Sequence, residues 1–328
     1  MPITPSDIKW YKSATVADTA ANGGRMSNTQ SPSGIKNNIF PDITLAERNA
    51  GAVRYRKMFI KVANTENLAL GNARVFLQLP TPGEDSVTFF PGTQRDTQGQ
   101  ITGNERQYGA GALAFAAQQA SREIQVSTEG AALNYFRAGD IIRVTDKATV
   151  TGSGNEEFHE VLGVTYAGDV ATVGIAAPLE YGYPAGAVVS SCLAAGEVSA
   201  VCSAPVVTSA AGFVDPGYLA ADSTGAVEQD WTLTFTSAVA FTVTGDTLGN
   251  VGSGNTASGA APINPAFPGS PYFRMLSGAL GGTFAAGDQV TFSTSPAAIP
   301  IWYKQIVPPG AAAISGNRVI LGVDGESA

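Results

Sequence analysis

Residues 228–246, EQDWTLTFTSAVAFTVTGD, alternate apolar and threonine side chains in two runs. Trp231, Leu233 and Phe235 interleave with Thr232, Thr234 and Thr236. Beyond the Ser237–Ala238 break, Phe241 and Val243 interleave with Thr242 and Thr244. Successive side chains of a strand point to opposite faces, so this period of two specifies a β ribbon with one apolar and one threonine face. Between Trp231 and Thr244 there is no ionisable group and no thiol. Such a ribbon is suited to being packed against, not to catalysis.

The same period recurs along the chain. RYRKMFIKVAN (54–64) and NARVFLQL (72–79) read as strands joined by a turn, and SVTFFPG follows the PTPGED break. These give a β-sandwich over 35–110. A second module, 111–203, holds FRAGDIIRVTD (136–146), EEFHEVLGVTYA (156–167), DVATVGIAAPL (169–179) and GAVVSSCL (186–193). Short strands at this spacing, punctuated by glycine, suit a small barrel or sandwich. The Ala-rich stretch 109–126 has helical composition, but Gly109, Gly111 and the Ile124–Val126 alternation favour strands. A C-terminal sandwich, 204–328, contains the opening ribbon, PYFRML, GDQVTFST, IPIWYKQIVPPG and a last strand in NRVILGV (317–323). Residues 1–34 are rich in Ser, Thr, Asn, Gly and Pro and read as an extended arm, disordered or ordered only on a neighbour. The expected fold is thus mainly β: two or three sandwich or small-barrel modules behind an N-terminal arm. FRAGDIIRVTD and FAAGDQVTFST (284–294) echo each other, by duplication or by a shared turn.

Charged residues make up 14% of the chain, well below the usual quarter, and 38 glycines are many for 328 residues. A surface so poor in charge is weakly protected from association, which favours a subunit packed among others over a free enzyme. Residues 1–110 carry 12 Lys and Arg against 9 Asp and Glu, a net +3, and residues 111–328 carry 7 against 18, a net −11. This polarity could orient a subunit in an assembly or serve solubility alone, and the acidic part is ill suited to gripping nucleic-acid phosphates. MPITPSDIKW lacks the basic and apolar regions of a secretory signal, and no apolar run reaches a membrane span. Synthesis in a cytoplasm is expected. Cys192 and Cys202 have a spacing that fits neither a zinc knuckle nor a redox pair, so free thiols are expected over a disulfide.

The search for reactive groups yields little. His159 is the only histidine; Glu157 would share its face on a strand, but two ligands do not complete a metal site. No GxSxG elbow gives it a nucleophile, and a solvated strand face is the simpler expectation. The glycine-rich GNVGSGN (249–255) precedes prolines and not a helix, so it reads as a mobile hairpin loop instead of a phosphate cradle. Adjacent acids at Glu84–Asp85 and Glu156–Glu157 point apart on a strand. Arg54, Arg56 and Lys57 could bind phosphate, but an exposed strand face explains them better. Catalytic, cofactor and metal residues are therefore not assigned. Thr232, Thr234, Thr236, Arg54 and Arg56 are the candidate subunit interface.

FPDITLAERNAGAVRYRKMFIKVANTENLALGNARVFLQL (40–79) resembles an immunoglobulin-like module of tailed-bacteriophage virion proteins, through the A-G-x-x-x-Y-R-K run at Ala50–Lys57 and the V-x-N turn ending at Asn64. FRAGDIIRVTD with APLEYGYPAG looks like a small β-barrel insert of similar proteins, and QDWTLTFTSAVAFTVTGD is similar to a third module of phage tail and neck proteins. The resemblance touches about half the chain and implies no catalytic residue. It implies a non-enzymatic structural subunit of a virion assembled in the bacterial host cytoplasm, repeated in the tail or the head–tail neck. Its partners would be copies of itself and other virion proteins, with no membrane, cofactor or sequence-specific nucleic acid. The alternatives are a capsid decoration protein and a carbohydrate-binding adhesin with Trp231, Trp302, Tyr181 or Tyr183 as stacking platforms.

Overall fold

The computed structural model describes residues 2–128, 134–149 and 152–327. The chain is mainly β, with 49% of residues in strands and 5% in helix, arranged as a sandwich, a closed barrel and a second sandwich. Among the described residues all the ladders are antiparallel.

The first sandwich is assembled from both ends of the sequence. One sheet runs β2 (Gly23–Gln30), β1 (Ile8–Thr15), β3 (Ala52–Val62), β22 (Ala298–Val307) and β5 (Ser86–Pro91). Facing it, β4 (Leu70–Leu79) lies between β23 (Ile320–Ser327) and the second half of β11 (Val188–Val198). Met58, Ile60, Val62, Val75, Leu77, Phe89, Ile299 and Ile301 fill the space between the sheets. The short helix α1 (Leu45–Ala50) opens with a capping box in which Thr44 and Glu47 bond reciprocally, and it leads into β3 through Gly51.

Residues 1–34 are not a free arm, because β1 pairs with β3 from Ile8↔Val62 to Lys12↔Met58, and β2 pairs with β1. The first and last modules also do not end at 110 and 328. β22 pairs with β3 along its whole length, so the chain returns to its first sheet after passing through the other modules. A β3 flanked by β1 and β22 has both rows of backbone polar groups satisfied, which an isolated 35–110 module would leave open.

The barrel closes through β11, β6 (Ala110–Leu113), β7 (Glu123–Ser127), β10 (Val170–Ile175), β9 (Glu156–Ala167) and β8 (Ile141–Thr145), with β8 pairing back onto β11. Ile142, Val144, Val161, Ala171, Val173 and Val189 point inward. The 109–126 stretch is strand at both ends, as its alternation indicated.

In the second sandwich, β21 (Gln289–Ser295), β16 (Gln229–Phe235), β17 (Ala240–Gly245) and β18 (Gly249–Asn255) form one sheet, with β12 (Val201–Cys202) and β13 (Val206–Val207) both on the β21 edge. Its inner face packs on two ribbons, β14 (Ala211–Val214) with β20 (Leu280–Thr283) and β15 (Leu219–Ala221) with β19 (Phe273–Met275). GNVGSGN is thus an edge strand and not a loop. A Cβ at Gly254 would sit 2.5 Å from the Phe241 ring, so close passage over that ring needs glycine there.

The two echoing Gly-Asp stretches share a turn. Gly139 and Gly287 have φ of +85° and +94°, and the Asp140 and Asp288 carboxylates accept from the backbone N–H of Arg137 and Ala285 at 2.7 and 2.9 Å. The first Gly-Asp turn leads into a barrel strand and the second into a sandwich strand.

Candidate functional site

The outer face of the second sandwich's large sheet carries rows of paired threonines. Thr232 lies opposite Thr244 on one side and Thr291 on the other; Thr234 lies between Thr242 and Gln289. Ser253 and Asn250 extend these rows onto β18, and exposed Val206 extends the first onto β13. Thr232, Thr234, Thr242, Thr244 and Thr291 are half-buried by one another, while Thr236 at the strand end is exposed. At one end of the rows Asp230 and Asp246 face the first sandwich and are engaged by Arg95 and Arg25.

The inner face explains why the threonines must look outward. Trp231, Leu233, Phe235, Phe241, Val243, Val290 and Phe292 are all buried on it. Phe273 meets Trp231 edge-on at 5.1 Å and Phe292 at 4.9 Å, and the Trp231 indole N–H donates to Thr294 at 2.9 Å. Slipping the register by one residue would exchange the two faces and bury a row of hydroxyls. Threonine pairs directly across a ladder also stabilise the sheet. The outer surface therefore presents alternating methyl and hydroxyl groups.

Arg54 and Arg56, placed with the threonines as interface candidates, lie elsewhere and are buried. Arg54 donates to Gln305 and to the Pro41 carbonyl, Arg56 to Asp18 and to the Ala17 and Tyr55 carbonyls, and Phe40 covers both guanidiniums. Lys57 is buried beside Asp96, with Nζ 2.6 Å from the carboxylate, and burial pulls its pKa down against that pairing. The expected exposed basic strand face does not exist, because the chain itself supplies the anions and carbonyls that these cations need.

His159 is also inside, contrary to the solvated face expected for it. It projects into the barrel next to Glu157, its Nε2 2.7 Å from the carboxylate, with Nδ1 buried and without a hydrogen-bond partner. Glu157 also accepts from the backbone N–H groups of Glu180 and Tyr181. Burial raises the Glu157 pKa, but these bonds outweigh it and hold the carboxyl below its ordinary range. Burial and the same carboxylate push the Tyr183 phenol upward. Among the described residues no three His, Cys, Asp or Glu side chains converge to hold a metal ion. Cys192 and Cys202 are free thiols, each pushed by burial to about 12.

Of the four aromatic platforms considered for a glycan, Trp231, Trp302 and Tyr183 are buried and only Tyr181 is exposed. Among the described residues no helix is long and apolar enough to cross a membrane. Part of the charge asymmetry is used within the chain. Arg95 forks onto Asp230 at 2.7 Å and reaches Glu228 at 2.6 Å, and Arg25 meets Asp246 at 2.5 Å, joining the basic first sandwich to the acidic second one. No protein-family model and no curated protein matches this chain.

Proposed function

We propose that this protein is a non-enzymatic structural subunit repeated in the virion of a tailed bacteriophage, in the tail or the neck between head and tail. The threonine-paired outer face carries this reading. Its paired rows are threonines flanked by Ser, Asn and Gln, and Asp230 and Asp246 at their end are neutralised by arginines of the first sandwich. Burying such a face against a second subunit desolvates only hydroxyls and amides, whose hydrogen bonds a facing polar surface can replace, and no uncompensated charge is left in the contact. The cross-module ion pairs support the same reading, since a shell or tube subunit must transmit load between its modules.

Gold-labelled antibody against the chain, imaged on tailed particles, tests the placement. Label at the tail or neck is expected. Label over the head surface would move the protein to capsid decoration, and particles without label would overturn the virion assignment.

A further inference from the structure

Lys61 lies at the junction of the two sandwiches and is completely buried. Its Nζ donates to the Thr224 carbonyl at 2.5 Å and stands 3.8 Å from the centre of the Phe267 ring. Around it the junction is made of neutral bonds: Ser223 Oγ to the Asn64 carbonyl, Asn67 to the Ala221 carbonyl and the Ser223 N–H, and Asn264 to the Gly225 carbonyl. Phe267, on the segment between Ala260 and Tyr272, also meets Tyr11 of β1 edge-on at 6.0 Å. It covers the amine like a lid. Beside it opens a cleft of about 570 Å³ lined by Asp7, Lys9, Asn28 and Gln30.

We propose that Lys61 and Phe267 form a proton-controlled latch, which closes the junction between the first and second sandwiches when the amine is neutral and loosens it when the amine is charged.

Among the described residues no carboxylate pairs with this amine in the closed junction. Asp222 is the acid whose field favours the charged form, and Arg274 engages it at 3.3 Å. Lys9 on β1 opposes that form, and Tyr11 presents its ring at 5.9 Å. β22 contributes only Ala298 opposite Lys61, and the Phe267 segment contributes Phe267 itself. The ring face and the carbonyl partly stabilise an ammonium, but burial outweighs them and pulls the Lys61 pKa down to about 7. When the lid lifts, water restores the ordinary lysine value of about 10.4. Closing therefore releases a proton between these two values. The closed form gains on the open one as pH rises from about 7 to about 10, and below about 7 the balance no longer depends on pH.

Amine labelling of the intact protein, read by peptide mass spectrometry, measures the latch as the ratio of Lys61 to Lys36 modification. Lys36 has a 79% exposed side chain and supplies the reference for reagent chemistry at each pH. Since one proton is linked to closing, the ratio should fall by up to about tenfold per pH unit between 7 and 10. A ratio independent of pH would overturn the proposal. Phe267→Leu, which keeps bulk but removes the ring, and Phe267→Ala should both raise the ratio. Unchanged ratios in both would show that Phe267 is not the lid.

Discussion

Phe235 and Phe284 stack face to face, with ring centroids 4.1 Å apart and planes within 2° of parallel. One ring comes from the threonine-faced sheet and the other from the chain between β20 and β21, so the pair ties the two layers of the second sandwich together. Phe241 adds a tilted contact at 5.3 Å. Phe235→Ala should cost about 3–5 kcal/mol, the usual range for emptying a buried aromatic site. Chemical denaturation followed by tryptophan fluorescence measures it, since Trp231 lies in the same core. A loss below about 1 kcal/mol would mean that the layers are held together elsewhere.

Arg95 makes two of the ion pairs between the sandwiches, and its two partners are unequal. Asp230 is half exposed, and a pair of that kind contributes about 0–1 kcal/mol. Glu228 is buried and also accepts from Ser295, so Arg95→Ala strands a desolvated carboxylate at a cost of about 1–3 kcal/mol. Asp230→Asn should be nearly silent. Equal effects of the two substitutions in a denaturant titration would count against this division.

Glu157 predicts how the barrel responds to acid. Its folded pKa is depressed, so its contribution is fully present above its unfolded value of about 4.3 and is lost as pH falls through the folded value. Wild type should lose stability relative to Glu157→Gln as pH is lowered below about 4.3, and denaturation midpoints at stepped pH report the difference. Parallel profiles would show that the carboxylate is not linked to folding. His159→Ala, which removes one of its partners, should destabilise the barrel by about 1–3 kcal/mol and leave zinc content at background.

The strands were legible where side chains alternate. EEFHEVLGVTYA is β9 with the same bounds, and the opening ribbon is β16 and β17. β18 was not, because its three glycines erase the alternation, and β1–β2 was hidden by register shifts that break the period of two. Burial of charged groups was also out of reach. Arg54 is satisfied by Gln305 and Lys61 by Thr224, partners 251 and 163 residues away that no local pattern announces. The threonine face was legible as a pattern, whereas Arg54 and Arg56 joined it only as surface residues that the fold then buried.

The most direct test of the account is the threonine face itself. Thr234→Ala removes a small half-buried group and should shift subunit stability by less than about 0.5 kcal/mol. Thr234→Arg adds charge and bulk at the centre of the rows, opposite Thr242 and Gln289. Size-exclusion chromatography with light scattering, beside a thermal melt of each protein, separates folding from assembly. The account predicts an arginine variant that melts like wild type yet fails to form the wild-type oligomer. An arginine variant that folds and assembles as wild type does would show that this face looks at water and that subunits meet elsewhere.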